Sequence, residues 1–190
     1  SWLLEYANPL IKVTIVPRGR ALGAAWYLPE ERQITTKEQM LDEMCATLGG
    51  RAAEDLFLNR ISTGAMNDLE RVTKQAYGMI AYLGMSDKLP NLCYYNNEEY
   101  SFNRPYSEKT AELIDTEVKN MVNEQYERAK KILSEHREGH NQLAQLLIDK
   151  EVIFAEDVER IFGKRPWASR SEEIMAAKES QEAAEAEKRL

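Results

Sequence analysis

The feature that most constrains the fold is a long run of helical hydrophobic periodicity that begins after Ser107. Apolar residues recur there every three or four positions over roughly seven helical turns, at Ile114, Val118, Met121, Val122, Ile132 and Leu133. Ser107 is a residue type that favours the N-cap position of a helix. Because an apolar stripe must be covered by another apolar surface, the chain is expected to be an assembly of packed helices.

Two upstream stretches have the same period. Residues 36–39 match a capping box, and the stripe that follows consists of Met40, Leu41, Met44, Cys45 and Leu48. The pair Gly49-Gly50 predicts a break or a close helix contact, with a second helical piece over 51–57. After a predicted helix entry at 62–65, the next stripe consists of Leu69, Val72, Ala76, Met79, Ile80 and Leu83.

The rest of the helical part is predicted to be less regular. Residues 84–106 contain glycine, proline, asparagine and several tyrosines, which indicates a long loop. Two shorter helices are predicted over 141–148 and 156–161. The domain is expected to span 1–167, and 168–190 is an acidic segment rich in alanine and glutamate that is expected to be frayed or disordered.

The first thirty residues predict a small β element. Residues 1–6 resemble the middle of an amphipathic helix with no cap before it. Residues 12–16 alternate and are β-branched, and 22–28 end at Pro29, so both are predicted to be strands. The predicted fold class is therefore mainly α, a helical domain with a small two-stranded β element near the N-terminus.

Charge and cysteine content exclude several classes of protein. A net charge of −7 and a pI near 5.1 argue against a general nucleic-acid binder, which needs a basic face. Two cysteines, Cys45 and Cys93, are too few for a disulfide scaffold, so reduced thiols are expected. No apolar run reaches the roughly 20 residues that span a bilayer, and the motif of a phosphate-binding loop is not present.

The two histidines form a pattern that only partly matches a metal site. His136 and His140 are four residues apart, so on a helix they share a face that could bind a metal ion. A zincin has glutamate directly after the first histidine, and Arg137 occupies that position. Gly139 and its polar neighbours favour a solvated turn between helices, with a metal site at the histidines as the alternative.

Two acidic residues stand in contexts that allow a structural or a chemical role. Asp68 follows the predicted helix entry, where the helix dipole favours a carboxylate. A carboxylate is also an oxygen ligand for zinc, but one ligand does not make a site. From the residues alone, the structural role of Asp68 is the simpler one. Glu54 follows Gly49-Gly50, where helix packing is expected, and it needs a partner if it is buried.

Five segments in a fixed order resemble the FtsH family of membrane-bound AAA proteases. They are WLLEYA at 2–7, KVTIVPRGRALG at 12–23, LGGRAAE at 48–54, STGAMNDL at 62–69 and GMS at 84–86. Each motif alone is weak, whereas their shared order is specific, and the resemblance runs from Trp2 to about Trp167. The motifs look more bacterial than organellar.

The resemblance implies a helical peptidase domain of an ATP-dependent zinc metalloendopeptidase that degrades membrane and cytoplasmic proteins. In the family, zinc is held by two histidines of a His-Glu-x-x-His helix and by one aspartate, which matches Asp68. Glu54 becomes a candidate for supporting the metal site. The His-Glu-x-x-His helix with the general base, the ATPase domain with its ATP, and the membrane helices are expected upstream of this chain, so the chain alone is expected to be inactive.

The resemblance also implies polypeptide substrates, a homo-hexamer, no nucleic acid, and the inner (cytoplasmic) membrane with this domain facing the cytoplasm. The second predicted strand would present substrate to zinc by strand addition, with Gly23, Ala24, Ala25 and Trp26 as substrate-binding residues. Small side chains there would allow a peptide backbone to approach closely, and a structural hairpin is the alternative. For the whole chain, the alternative is a non-catalytic helical oligomerisation or interaction module.

Overall fold

The described residues form five α-helices and three β-strands. The computed structural model describes residues 1–19, 21–29, 34–94, 104–168 and 175. The helices are α1 (Lys37–Ala53), α2 (Met66–Tyr77), α3 (Glu108–Glu135), α4 (Arg137–Lys150) and α5 (Ala155–Phe162), and the strands are β1 (Leu10–Thr14), β2 (Ala24–Tyr27) and β3 (Val152–Phe154). The prediction of a mainly α fold is confirmed.

Two of the sequence predictions fall wholly or partly outside this description. The acidic segment predicted at 168–190 lies outside the described residues apart from Ala168 and Met175. The loop predicted over 84–106 is described only over 84–94 and 104–106. Among the described helices, none has the length and apolar character needed to cross a membrane.

The described residues divide into two compact units. Residues 35–137 form one of them, called here the helical unit, and residues 1–34 together with 138–190 form the other, called the sheet unit. The chain therefore starts in the sheet unit, passes through the whole helical unit and returns.

The helical unit is built where the apolar stripes of three helices meet. Its buried residues come from α1, α2, α3 and the π-helical turn Gly78–Tyr82 that continues α2, and they include Met44, Leu48, Val72, Ala76, Met79, Ile80, Ile114 and Val118. The hydroxyl of Ser107 accepts a hydrogen bond from the Thr110 N–H at 3.3 Å, and Thr36 and Gln39 form the predicted capping box. The first half of the predicted α3 stripe is thus core.

The predicted break at Gly49-Gly50 is wrong. Helix α1 continues through both glycines to Ala53 and then into a π-helical turn at Glu54–Leu58. A Cβ atom at either glycine would have nothing within 4 Å, so the pair does not serve a close contact either. Two glycines cost a helix about 1 kcal/mol each, and the capping box and the buried side chains of α1 offset that cost.

The sheet unit contains three antiparallel strands in the order β2-β1-β3, rather than the two that were predicted. Val13 pairs with Ala25 on one side and with Ile153 on the other. Ile153 is fully buried. The third strand is only three residues long and is followed at once by α5, so its local sequence carries too little alternation to predict a strand.

The predicted helix at the N-terminus is also wrong, because residues 1–7 form turns. The proline at position 9 also disfavours the helical conformation for Asn8. Instead, the Arg165 guanidinium donates hydrogen bonds to the carbonyl oxygens of Leu4 (2.8 Å) and Ala7 (3.1 Å). Both Leu4 and Ala7 are buried. Hydrogen bonds from the far end of the sequence thus fix the start of the chain.

The connection between α3 and α4 lies at His136 and not at Gly139 as predicted. Helix α3 ends at Glu135, His136 follows it, and α4 starts at Arg137, so Gly139 lies inside a helix. A Cβ atom at Gly139 would clash with the ring of Phe162 in α5. This glycine therefore allows an aromatic ring to pack closely, and it does not form a turn.

Candidate functional site

Asp68 lies in the first turn of α2 and is exposed to solvent. A short 3₁₀ turn, Thr63–Ala65, precedes the helix, and the Ser62 hydroxyl caps it by accepting a hydrogen bond from the Gly64 N–H at 3.2 Å. Among the described residues, no group forms a hydrogen bond or ion pair with the Asp68 carboxylate. An exposed and unpaired carboxylate of this kind is available as an oxygen ligand for a cation.

Glu54 holds the turn that leads to Asp68. It is half-buried at the start of the π-helical turn, where its Oε2 accepts a hydrogen bond from the Ser62 N–H at 3.2 Å and its Oε1 accepts one from the Ser62 hydroxyl. Arg51 lies 3.8 Å away. The two Ser62 hydrogen bonds, that of the hydroxyl first, lower the pKa of Glu54 below its usual range, and Arg51 adds to the effect. Glu54 is therefore a paired anion at neutral pH.

The sequence indicates that Glu54 needs a partner if it is buried, but it does not identify Ser62. The two residues are eight apart, with a π-helical turn and a loop between them, so no helical or strand period relates them. The only signal was that Ser62 opens the predicted helix entry. A serine that caps one turn can also donate its hydroxyl proton to a carboxylate.

The described residues contribute one candidate ligand and not a complete metal site. Within the described ranges, no three His, Cys, Asp or Glu side chains lie close enough together to hold a metal ion. The ring of His136 is engaged at the end of α3, with Nδ1 2.9 Å from the Ile132 carbonyl oxygen. A catalytic zinc ion takes three protein ligands, so Asp68 fits as one of them. The alternative site at His136 and His140 gains no third ligand from the described residues.

The predicted substrate-binding residues lie on or beside an edge strand of the sheet unit. Among the described strands, β2 pairs only with β1, and all of its residues are exposed. Ala24, Ala25 and Trp26 belong to this strand, and Gly23 precedes it. The Lys12 ammonium lies 4.4 Å from the centre of the Trp26 ring, a distance at which a cation and an aromatic face attract each other.

Gly23 has a structural role within the sheet itself. A Cβ atom there would lie 2.7 Å from the carbonyl oxygen of Thr14 in β1, closer than two such atoms can approach. The missing side chain of Gly23 thus lets its own backbone approach the neighbouring strand. Ala24 and Ala25 remain the positions whose small side chains are exposed on the edge strand.

Comparison with known proteins identifies the family. The family model for peptidase family M41 matches residues 1–161. The chain belongs to peptidase family M41. The resemblance to the FtsH family is confirmed by relatives whose names include FtsH.

Three relatives are similar to this M41 chain over most of its length. It is 72% identical over 181 residues to the ATP-dependent zinc metalloprotease FtsH of Parabacteroides distasonis, covering 94% of this chain and 26% of the relative. It is 49% identical to the mitochondrial ATP-dependent zinc metalloprotease FTSH 10 of Arabidopsis thaliana, covering 89% and 21%. It is 43% identical to the mouse mitochondrial inner membrane m-AAA protease component AFG3L2, covering 90% and 22%. The chain thus spans about a quarter of the length of these relatives.

Proposed function

We propose that this M41 chain is part of the peptidase domain of an ATP-dependent zinc metalloendopeptidase and supplies one zinc ligand, Asp68. The observation that carries the proposal is the state of that carboxylate. It is exposed and unpaired at the start of α2, on a turn held by Glu54 and Ser62. A carboxylate that is exposed, has no internal partner and follows a segment held by hydrogen bonds is suited to bind an ion from outside the chain.

The remaining ligands belong to other parts of the longer protein in this proposal. Three protein ligands are needed, and the two histidines of this chain do not lie in a described cluster with Asp68. We infer that two histidines of a His-Glu-x-x-His helix outside this chain complete the site, and that its glutamate is the general base. Bound zinc lowers the pKa of a water molecule and polarises the scissile carbonyl group.

The residues of this chain have defined tasks in that reaction. Asp68 supplies one oxygen to the metal, and Glu54 supports it by accepting two hydrogen bonds from Ser62. The Asp68 carboxylate is placed in the first turn of α2, where the positive end of the helix dipole favours a negative charge.

Zinc stoichiometry tests this assignment. Two purified proteins are compared: this chain, and the longer protein that includes the His-Glu-x-x-His helix. We expect about one zinc per chain in the longer protein and much less in this chain. Asp68→Ala in the longer protein should remove most of the zinc, whereas Asp115→Ala, which removes an exposed carboxylate from α3, should not.

Two other results would contradict the assignment of Asp68 as a zinc ligand. Equal zinc in both proteins would assign metal binding to residues of this chain, with His136 and His140 as the first candidates. Full zinc occupancy in the Asp68→Ala protein would remove Asp68 from the ligand set.

We further propose that β2 binds polypeptide substrates by strand addition, with Ala24, Ala25 and Trp26 as contact residues and Gly23 as the residue that shapes the strand. The exposed edge of β2 supports this proposal, because an unpaired edge offers backbone donors and acceptors to an extended peptide. In the longer protein, Ala24→Phe should raise KM for peptide hydrolysis with zinc content unchanged, and Ala24→Gly should have a smaller effect. Unchanged hydrolysis with Ala24→Phe would leave β2 as a structural strand.

Assembly and location are part of the same proposal. The relatives include one named as a component of a mitochondrial inner membrane protease. We propose a homo-hexamer anchored in the inner membrane by segments outside this chain, with this domain facing the cytoplasm and ATP bound on a separate ATPase domain. Its role would be the degradation of membrane and cytoplasmic proteins in quality control.

A further inference from the structure

The π-helical turn that carries Glu54 is attached to α3 through the next residue, Asp55. Its Oδ2 accepts a hydrogen bond from the Tyr126 hydroxyl at 2.8 Å and lies 2.9 Å from the Lys130 ammonium. Lys130 also lies 5.5 Å from the centre of the Tyr126 ring. Tyr126 and Lys130 are four apart on α3 and therefore share one face of that helix.

The end of the same turn has a second attachment. The Arg137 guanidinium, immediately beyond the end of α3, lies 5.0 Å from the centre of the Phe57 ring. Arginine over an aromatic face is an attractive arrangement. The turn is thus held near its start by Asp55 and near its end by Phe57.

The charges at Asp55 stabilise each other. The hydrogen bond from Lys130 and then that from Tyr126 lower the pKa of Asp55, and the same carboxylate raises the pKa of Lys130. The Asp55 side chain is 36% exposed and the Lys130 side chain is 27% exposed, so the protein shields most of both side chains from solvent. Asp55 is a fixed anion in contact with two donors.

Glu54 and Asp55 are consecutive but have different partners. Glu54 binds Ser62, at the entry to α2, while Asp55 binds α3. Both residues belong to one π-helical turn and a planar peptide group joins their Cα atoms, so a shift of the backbone at Asp55 also moves the backbone at Glu54. π-Helical turns are frequent at functional sites, and here the turn joins a helix of the core to the segment that carries Asp68.

We propose that Tyr126 and Lys130 are positioning residues for the metal ligand Asp68. Through Asp55 they fix the π-helical turn, so that Glu54 holds Ser62 and the first turn of α2 in one place. This inference rests on the proposed function, because it takes Asp68 as a ligand.

The test uses two preparations of the full-length protein, one loaded with Co²⁺ and one with zinc, together with the same preparations of Lys130→Met, Tyr126→Phe and the control Lys131→Met. Lys131 is an exposed neighbour on α3. Two properties are measured: the visible absorption spectrum of the bound Co²⁺, which reports ligand geometry, and the chelator concentration that removes zinc. We expect Lys130→Met and Tyr126→Phe to change the spectrum and to weaken zinc retention about tenfold, the lower end of the effect of groups that orient metal ligands. Lys131→Met should match the unmodified protein.

Lys130→Arg is a second variant, which separates the effect of the ion pair from a general loss of folding. Arginine keeps the ion pair with Asp55, so the Co²⁺ spectrum and zinc retention should return to those of the unmodified protein. Lower thermal stability with an unchanged Co²⁺ spectrum and unchanged zinc retention in Lys130→Met and Tyr126→Phe would overturn the proposal and leave these contacts as purely structural. Asp68→Ala distinguishes this outcome from failure of the proposed function, because zinc binding that survives Asp68→Ala would refute the ligand assignment itself.

Discussion

At the scale of single residues, two glycines from the family motifs differ in whether their position could accept a side chain. Gly50 is exposed in the last turn of α1 and has space around it, whereas Gly84 adopts a φ of +60° and its Cβ position lies 2.9 Å from the Asn91 backbone nitrogen. A side chain is compatible with the first position and strained at the second.

These two positions give a matched pair of variants. Gly50→Ala should raise the free energy of unfolding by about 0.5–1 kcal/mol, since alanine restricts the unfolded chain and favours the helix. Gly84→Ala should lower it by about 1–3 kcal/mol through backbone strain. Urea unfolding of this chain measures both. A stability loss for Gly50→Ala would show that the glycine serves a contact that the described residues do not make.

Asp157 gives a prediction about pH. Its carboxylate contacts Lys150 at 2.8 Å and accepts a hydrogen bond from the Phe154 N–H at 3.1 Å. The Lys150 contact first, then the Phe154 N–H, hold the pKa of Asp157 below its usual value. A lowered folded-state pKa adds stability above the unfolded-state pKa of about 3.9, and this stability is lost as the pH falls through the folded-state value.

Asp157→Asn should therefore be less stable than the unmodified chain at pH 7, and the difference should shrink as the pH is lowered from about 4 toward 2. Thermal unfolding across this pH range measures the difference. The control is Glu156→Gln, because the neighbouring Glu156 is exposed and makes none of these contacts. A stability difference that stays constant from pH 7 to pH 2 would contradict the prediction.

At the scale of secondary-structure elements, α1 and α3 are joined by an ion pair with one buried partner as well as by apolar packing. The Arg128 guanidinium lies 2.6 Å from Asp42, whose side chain is 4% exposed, and it also donates to buried Gln125 at 3.2 Å. Arg128 itself is 41% exposed, so solvent screens part of the interaction.

Arg128→Met should lower the free energy of unfolding by about 2–3 kcal/mol, because it leaves the Asp42 carboxylate buried without its cation. The value is below that for a fully buried pair since Arg128 is partly exposed. Lys131→Met, on the same helix, should change stability by less than about 0.5 kcal/mol. Urea unfolding at pH 7 compares the two. Equal effects would mean that other groups neutralise Asp42.

The sequence predicted elements whose signals are local and missed those that depend on distant residues. The capping box at Thr36 and the stripe through Ile114 and Val118 were readable because caps and helical periods lie within a few residues. Strand β3 and the turns at 1–7 were not, since their partners, β1 and Arg165, are far away along the chain.

In the candidate site, too, local features could be predicted from the sequence, whereas contacts between distant residues could not. Asp68 was found through the family motif, and its position at a helix start was readable locally. The hydrogen bonds of Glu54 with Ser62 and of Asp55 with Tyr126 cross eight and 71 positions of sequence. Only folding brings such groups together, so no spacing rule could predict these contacts.

At the scale of the whole molecule, the helical unit has a complete core of its own. The buried residues of that core and the apolar residues packed against them all lie between Met40 and Tyr126, inside 35–137. The sheet unit, in contrast, needs both ends of the chain, because β1 lies between β2 and β3.

A chain of residues 35–137 should therefore fold alone, with a cooperative thermal transition and the circular dichroism of a helical protein. Residues 1–34 alone should not, since two strands without further packing are at best marginally stable in water. Circular dichroism and limited proteolysis of the two pieces test this. A non-cooperative transition for 35–137 would show that its core depends on the sheet unit.

The position of β1 between β2 and β3 also sets an order of events on the ribosome. The Thr14 hydroxyl donates to the Glu151 carbonyl oxygen, 137 positions later in the sequence. At about 5–20 residues per second, roughly 7–30 s of translation separate the two. During that interval the helical unit can fold as it emerges, whereas the first strand has an open edge toward its missing neighbour. Strand β3, which is synthesised later, thus completes the sheet that β1 and β2 begin, and chaperones have access to the open edge of β1 throughout that interval.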